Sequence, residues 1–127
     1  VVLMTHLAFL VPRSDLREVL AVSACAFSLT HEPEAFGRTT IEALSLGVPV
    51  IGYDHGGTGE ILRAVFPAGL VPRGDLEAAA ARCAEFLAQR PAVPVEHPYT
   101  VERLQAATLA VYEGLCAARG RPRWGAP

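Results

Sequence analysis

Val48 to Tyr53 reads Val-Pro-Val-Ile-Gly-Tyr, an uncharged run bounded by Gly47 and Asp54. A continuous apolar run is the pattern of a strand covered on both faces, which calls for a parallel sheet between layers of helix. The flanking chain supplies such helices. Ser14-Asp15 with Glu18 forms a capping-box signal for a helix with Leu16, Val19 and Leu20 on one face. Ile41, Leu44 and Val48 recur at spacings of three and four, predicting a helix from about Arg38 to Leu46 that stops at Gly47, with Pro49 just beyond. Ala24 to Leu29 and Leu7 to Val11 read as buried strands, with Val1 to Met4 an extension of the latter or a remnant of an earlier element. Asp54 to Gly59 reads as a glycine-rich loop, Glu60 to Phe66 as a short helix ended by Pro67, and Gly69 to Val71 as a short strand. Asp75 is a candidate N-cap for a helix with Leu76, Ala80, Cys83 and Leu87 on one stripe. Pro91, Pro94 and Pro98 break the chain into a linker. A last helix, about Val101 to Ala118, carries Leu104, Thr108, Val111 and Leu115 on one face and stops at Gly120. Strands alternating with helices imply an α/β domain over residues 1–120 with a doubly wound parallel sheet, followed by a flexible tail, 121–127. Ligands of such sheets bind at the carboxyl ends of the strands, where the loops after Val11, Leu29 and Tyr53 converge.

Of these loops, the one from His31 to Glu42 carries the chemistry. It joins a strand to a helix whose first N–H groups lack partners and whose dipole favours an anion, so a phosphate fits against Gly37, Arg38 and Thr39. Glu34, held by Pro33, lies before this opening and Glu42 one turn inside it. Ionised carboxylates only accept hydrogen bonds, so hydroxyls of a sugar or a ribose are their natural partners. Each also has a plainer reading, as a solvated loop or helix carboxylate, and Arg38 as an exposed first-turn residue. His31 and His55 are candidate general acid/base groups, yet a lone loop histidine more often serves hydrogen bonding or solvation, though His31 sits next to the proposed site. Gly56 and Gly57 either meet the ligand through their backbone or only form a turn.

Composition narrows the function. The 127 residues are 51% hydrophobic with a net charge of −2 and no long charge run, so the chain reads as globular, and nothing in it suggests nucleic acid. Cys25, Cys83 and Cys116 have no metal-ligand spacing, and their odd number argues against a disulfide framework. They read as buried structural thiols in a reducing cytoplasm. No apolar stretch is long enough to span a membrane. No G-x-G-x-x-G follows a first strand, which disfavours a dinucleotide-binding domain.

Glu34 and Glu42, with seven residues between them, enclose Ala-Phe-Gly and are followed by Ala-Leu-Ser-Leu-Gly-Val-Pro-Val-Ile. With Arg13-Ser-Asp-Leu16 and Gly56-Gly-Thr-Gly-Glu60, they resemble the E-x7-E signature of the group 1 family of retaining glycosyltransferases with the GT-B fold. The resemblance runs from about Leu7 to about Ala88. It implies the Rossmann-like, donor-binding C-terminal half of a GT-B enzyme, binding a UDP- or GDP-sugar for retaining transfer of a hexose-type sugar. By this resemblance Glu34 is catalytic and meets the donor sugar near the reacting carbon. Phe36, Gly37, Arg38 and Thr39 meet the sugar and phosphate, Glu42 the ribose, and Gly56 and Gly57 the sugar or phosphate. The backbone at Val11 and Pro12 is a candidate cover for the base. No metal or other cofactor is expected. The chain departs from the family pattern in having no Lys and in lacking the first strand, glycine loop and cationic clamp. It is therefore expected to be truncated at its N-terminal end, to miss its N-terminal acceptor domain, and to transfer nothing alone. Peripheral membrane association would then run through the absent half. Two other readings stay open: a GT-B sugar-nucleotide epimerase and a non-catalytic nucleotide-sugar binding module.

Overall fold

The computed structural model describes residues 14–119. The strand expected at Leu7 to Val11, the Val11 and Pro12 backbone, the stop at Gly120 and the tail 121–127 lie outside the described residues. The molecule comprises two compact units, one ending at Glu96 and the other beginning at His97, a division that falls within the proline-marked linker.

The first unit runs α1 (Leu16–Ala21), β1 (Ala26–Ser28), α2 (Arg38–Ser45), β2 (Val50–Tyr53), α3 (Gly56–Val65), β3 (Leu70–Val71) and α4 (Leu76–Gln89), with a 3-10 turn at Pro67–Gly69 before β3. The three strands form one parallel sheet in the order β1-β2-β3. Ala26, Phe27 and Ser28 align with Val50, Ile51 and Gly52, while Gly52 and Tyr53 align with Leu70 and Val71. Parallel neighbours need crossover connections, and α2 and α3 are those crossovers. All four residues of β2 are buried. Because successive side chains point to opposite faces, an unbroken buried strand has both faces covered, as the apolar run predicts.

The core gathers Leu20 of α1, Ile41 and Leu44 of α2, Val50, Ile51 and Tyr53 of β2, Ile61 and Leu62 of α3, and Phe86 of α4. Most of these positions follow the expected stripes; α4 does not. Its buried residues are Ala79 and Phe86, with Cys83 half-buried between them, whereas Leu76 and Leu87 are exposed. Phe86 decides the rotation: its ring packs 5.5 Å from that of Phe66, and an aromatic side chain contributes more buried area than either leucine. Asp75 caps α4 as expected, its Oδ1 accepting from Ala78 N at 2.8 Å. Asp15 precedes α1 without a side-chain cap hydrogen bond, so the capping box does not form there.

Asp54 to Gly59 also departs from the expected pattern. Instead of a loop followed by a helix at Glu60, the helix already begins at Gly56, and both Gly57 and Gly59 are buried in it. Glycine costs a helix interior about 0.5–1 kcal/mol relative to alanine, so tertiary packing must favour it here. A Cβ on Gly57 would overlap the backbone of Phe36. The missing side chain is what lets α3 start against the loop that follows β1.

In the second unit, α5 (Val101–Arg119) opens at Thr100, whose Oγ1 accepts from Arg103 N at 3.3 Å. Leu104, Val111 and Leu115, expected on one face, are exposed. Cys116 is exposed as well, contrary to its reading as a buried thiol.

Candidate functional site at the carboxyl edge of the sheet

The loop from Leu29 to Gly37 leaves the carboxyl end of β1 and is held by the loops that leave the other two strands. His55, beyond β2, contacts the Thr30 carbonyl through Nε2 at 2.8 Å. A carbonyl only accepts, so this nitrogen carries the proton. Arg73, beyond β3, donates from Nη2 to the His31 carbonyl at 2.8 Å. Gly57 N, in the first turn of α3, donates to the Glu34 carbonyl at 2.8 Å. Three separate segments thus fix the backbone that carries Glu34.

The Glu34 side chain is half-buried and held through one oxygen. Thr58 Oγ1 donates to its Oε1 at 2.5 Å, and Ser28 Oγ reaches the same oxygen at 3.4 Å. Both contacts fall on Oε1, and among the described residues Glu34 makes no ion pair. Among the described residues, hydroxyls orient this carboxylate and no cation pairs with it.

Phe36 is exposed, and Gly37 is the left-handed N-cap of α2, with φ +88°. A Cβ on Gly37 would come within 3.1 Å of Thr58 N, so the starts of α2 and α3 abut. Arg38 and Thr39 follow in the first turn of α2, both exposed, and Gly56 opens α3 with its Cα facing the Glu34 backbone. Two helix N-termini, each a positive dipole end, meet beside one carboxylate, and Gly57 N of α3 is already given to the Glu34 carbonyl.

Glu42 sits apart from this cluster. It lies one turn into α2 and pairs with Arg38 at 3.3 Å on the helix surface. It also lines a groove of about 290 Å³ between α1 and α2, with Ser14, Leu16, Arg17 and Leu46. Of the residues singled out in the sequence, Glu34, Gly37, Gly56 and Gly57 come together; Arg38 and Glu42 form a separate pair along α2.

Reasoning from sequence missed the hydroxyls. Ser28, Thr40 and Thr58 come from β1, α2 and α3, and Thr58 Oγ1 lies 3.0 Å from Ser28 Oγ and 3.1 Å from Thr40 Oγ1. A threonine set among glycines at a helix start, and a serine ending an apolar strand, were the available signals. The cysteines hold another unforeseen contact: Cys25 Sγ lies 3.7 Å from Cys83 Sγ, both as free thiols. Burial, and secondly the neighbouring Cys83, push the Cys25 thiol up to about 12. Among the described residues no group of three or more His, Cys, Asp or Glu could hold a metal ion, and no helix is long and apolar enough to cross a membrane.

Residues 3–98 match the family model described as glycosyl transferases group 1. Neither a curated protein nor a solved structure matches the chain. The matched segment includes β1 to β3, the loop bearing Glu34 and both abutting helix starts, and it spans well over half of the sequence. The chain belongs to the group 1 glycosyl transferases.

Proposed function

We propose that this chain binds a UDP- or GDP-hexose at the carboxyl edge of its sheet for transfer with retention of anomeric configuration. The observation that carries the reading is the placement of Glu34 beside the abutting starts of α2 and α3. The diphosphate lies against those two helix ends, where the main chain from Phe36 to Thr39 and at Gly56 and Gly57 faces it. As the bond from the anomeric carbon to the phosphate oxygen breaks, negative charge grows at the helix ends and positive charge at the sugar. Glu34, oriented by hydroxyls, supports the latter. Glu42 takes the ribose along the groove beside α1, and Arg38 orients Glu42. No metal enters this scheme, so nucleotide titrations with and without EDTA are expected to agree.

The test is calorimetric, with UDP-glucose against UDP and GDP-mannose against GDP. The chain is expected to bind one sugar nucleotide more tightly than the matching free nucleotide, and Glu34→Ala to erase that difference. A chain that binds neither nucleotide overturns the reading.

A further inference from the structure

Three hydroxyls converge where the proposed chemistry needs one orientation of one carboxylate. Thr58 is 4% exposed and Thr40 is 1% exposed, so neither reaches a ligand. A hydroxyl has one proton to give and two lone pairs to fill. Thr58 gives its proton to Glu34 Oε1. In its contacts with Thr40 and Ser28 it must therefore accept. The result is a directed chain, Thr40 to Thr58 to Glu34; the single Ser28 proton is shared between Thr58 Oγ1 at 3.0 Å and Glu34 Oε1 at 3.4 Å, so Ser28 feeds the same cluster from β1. No buried side-chain oxygen or nitrogen among the described residues is left without a partner.

We infer that Thr58 is the positioning residue of the site: fed by Thr40 and Ser28, it selects the Glu34 rotamer and leaves Oε2 turned to the donor sugar. The inference rests on the donor-site reading of Glu34. Hydroxyls suit the task better than a lysine or arginine would. A cation at Oε1 would orient the carboxylate equally well but cancel the charge that the reacting sugar uses, whereas a neutral donor orients and leaves the charge in place. The three hydroxyls also come from three different elements, so Glu34 is referenced to the sheet and to both helix starts at once. Small rotations of such a group are costly to a reaction whose partners must be aligned within a fraction of an ångström.

The experiment compares the affinity ratio of sugar nucleotide to free nucleotide, with the same UDP-glucose/UDP and GDP-mannose/GDP pairs, across five forms of the chain. Thr58→Val removes the proton and both acceptor sites in nearly the same volume; it should lower the ratio about tenfold, since a charge-assisted hydrogen bond is of that order. Thr58→Ser restores a hydroxyl and should return the ratio to within about threefold of the unmodified chain, because the same donor is again present. A merely structural threonine would show parallel losses for nucleotide and sugar nucleotide, leaving the ratio unchanged. Should Thr58→Val fail to fold by thermal melting, Ser28→Ala serves, as Ser28 is half-buried and donates to the same cluster; its ratio should fall about threefold, the weaker effect of the longer contact. An unchanged ratio in Thr58→Val, or in Ser28→Ala where that stands in, overturns the inference when Glu34→Ala lowers the ratio in the same series. If Glu34→Ala leaves the ratio intact, the donor-site reading itself falls.

Discussion

Glu34 and Glu42 are the same residue type, eight positions apart in one segment, and the fold treats them in opposite ways. Glu34 is tied by the buried Thr58 hydroxyl and the half-buried Ser28 hydroxyl, from two other elements, and carried on a backbone pinned from three directions. Among the described residues Glu42 pairs with Arg38 on its own helix, with side chains 44% and 83% exposed. The difference tracks what each carboxylate would do. A group that supports charge at a reacting carbon gains from being immobile before the substrate arrives. One that grips a ribose at the rim can swing into place, because its exposed pair with Arg38 costs little to open.

The largest test of this contrast is Gly57→Ala. Its Cβ would overlap the Phe36 backbone, which cannot move aside like a flexible side chain. Overpacking of this kind costs about 1–3 kcal/mol and occasionally more, and the high end applies here. Urea melts should show that loss, and donor binding should fall with it because the Glu34 loop is displaced. A variant as stable as the parent would mean that the loop is loose, and the contrast between the two ends would disappear.

Glu34→Ala comes next. The affinity for sugar nucleotide should fall by about 1.5–3 kcal/mol, the range for hydrogen bonds to charged groups, while free nucleotide binds as before. Glu42→Ala should reverse the pattern, weakening nucleotide and sugar nucleotide alike. Its loss should lie near about 1.5 kcal/mol, since an exposed carboxylate is also satisfied by water when no ribose is there. Calorimetry with both ligands on both variants separates the two. Matching losses for free nucleotide would abolish the division of labour.

How far this contrast was legible beforehand depends on which physical signal carried it. Apolar runs and three-four spacing locate β2, α2 and the core of α1, because burial of a whole strand or stripe writes itself into hydrophobicity. The rotation of α4 was not legible: Leu76, Leu87 and Phe86 are all apolar, and only the ring of Phe66 across the core selects Phe86. The start of α3 departs from expectation because glycines at Gly56, Gly57 and Gly59 argue locally for a loop, while the reason for Gly56 and Gly57 is the distant backbone from Pro33 to Phe36. The carboxylates were visible through their spacing together with the flanking strand, glycine and proline. Their inequality was not, since it arises from Ser28, Thr40 and Thr58, which meet only after the sheet has formed.

The smallest effect should come from Arg38→Ala, and it decides how passive the second carboxylate is. Arg38 and Glu42 lie four residues apart on a helix surface, a geometry worth about 0.3–0.5 kcal/mol and screened by salt. Melting should therefore move by no more than that, and less at high ionic strength. Nucleotide affinity should change by under about threefold, because releasing Glu42 from its partner helps the ribose contact as much as losing an oriented carboxylate harms it. A tenfold loss confined to ligands with a diphosphate, absent with the nucleoside alone, would show that the guanidinium leaves Glu42 when the donor binds. The rim would then be a moving clamp on the phosphates, and the site's rigid part would end at the start of α2.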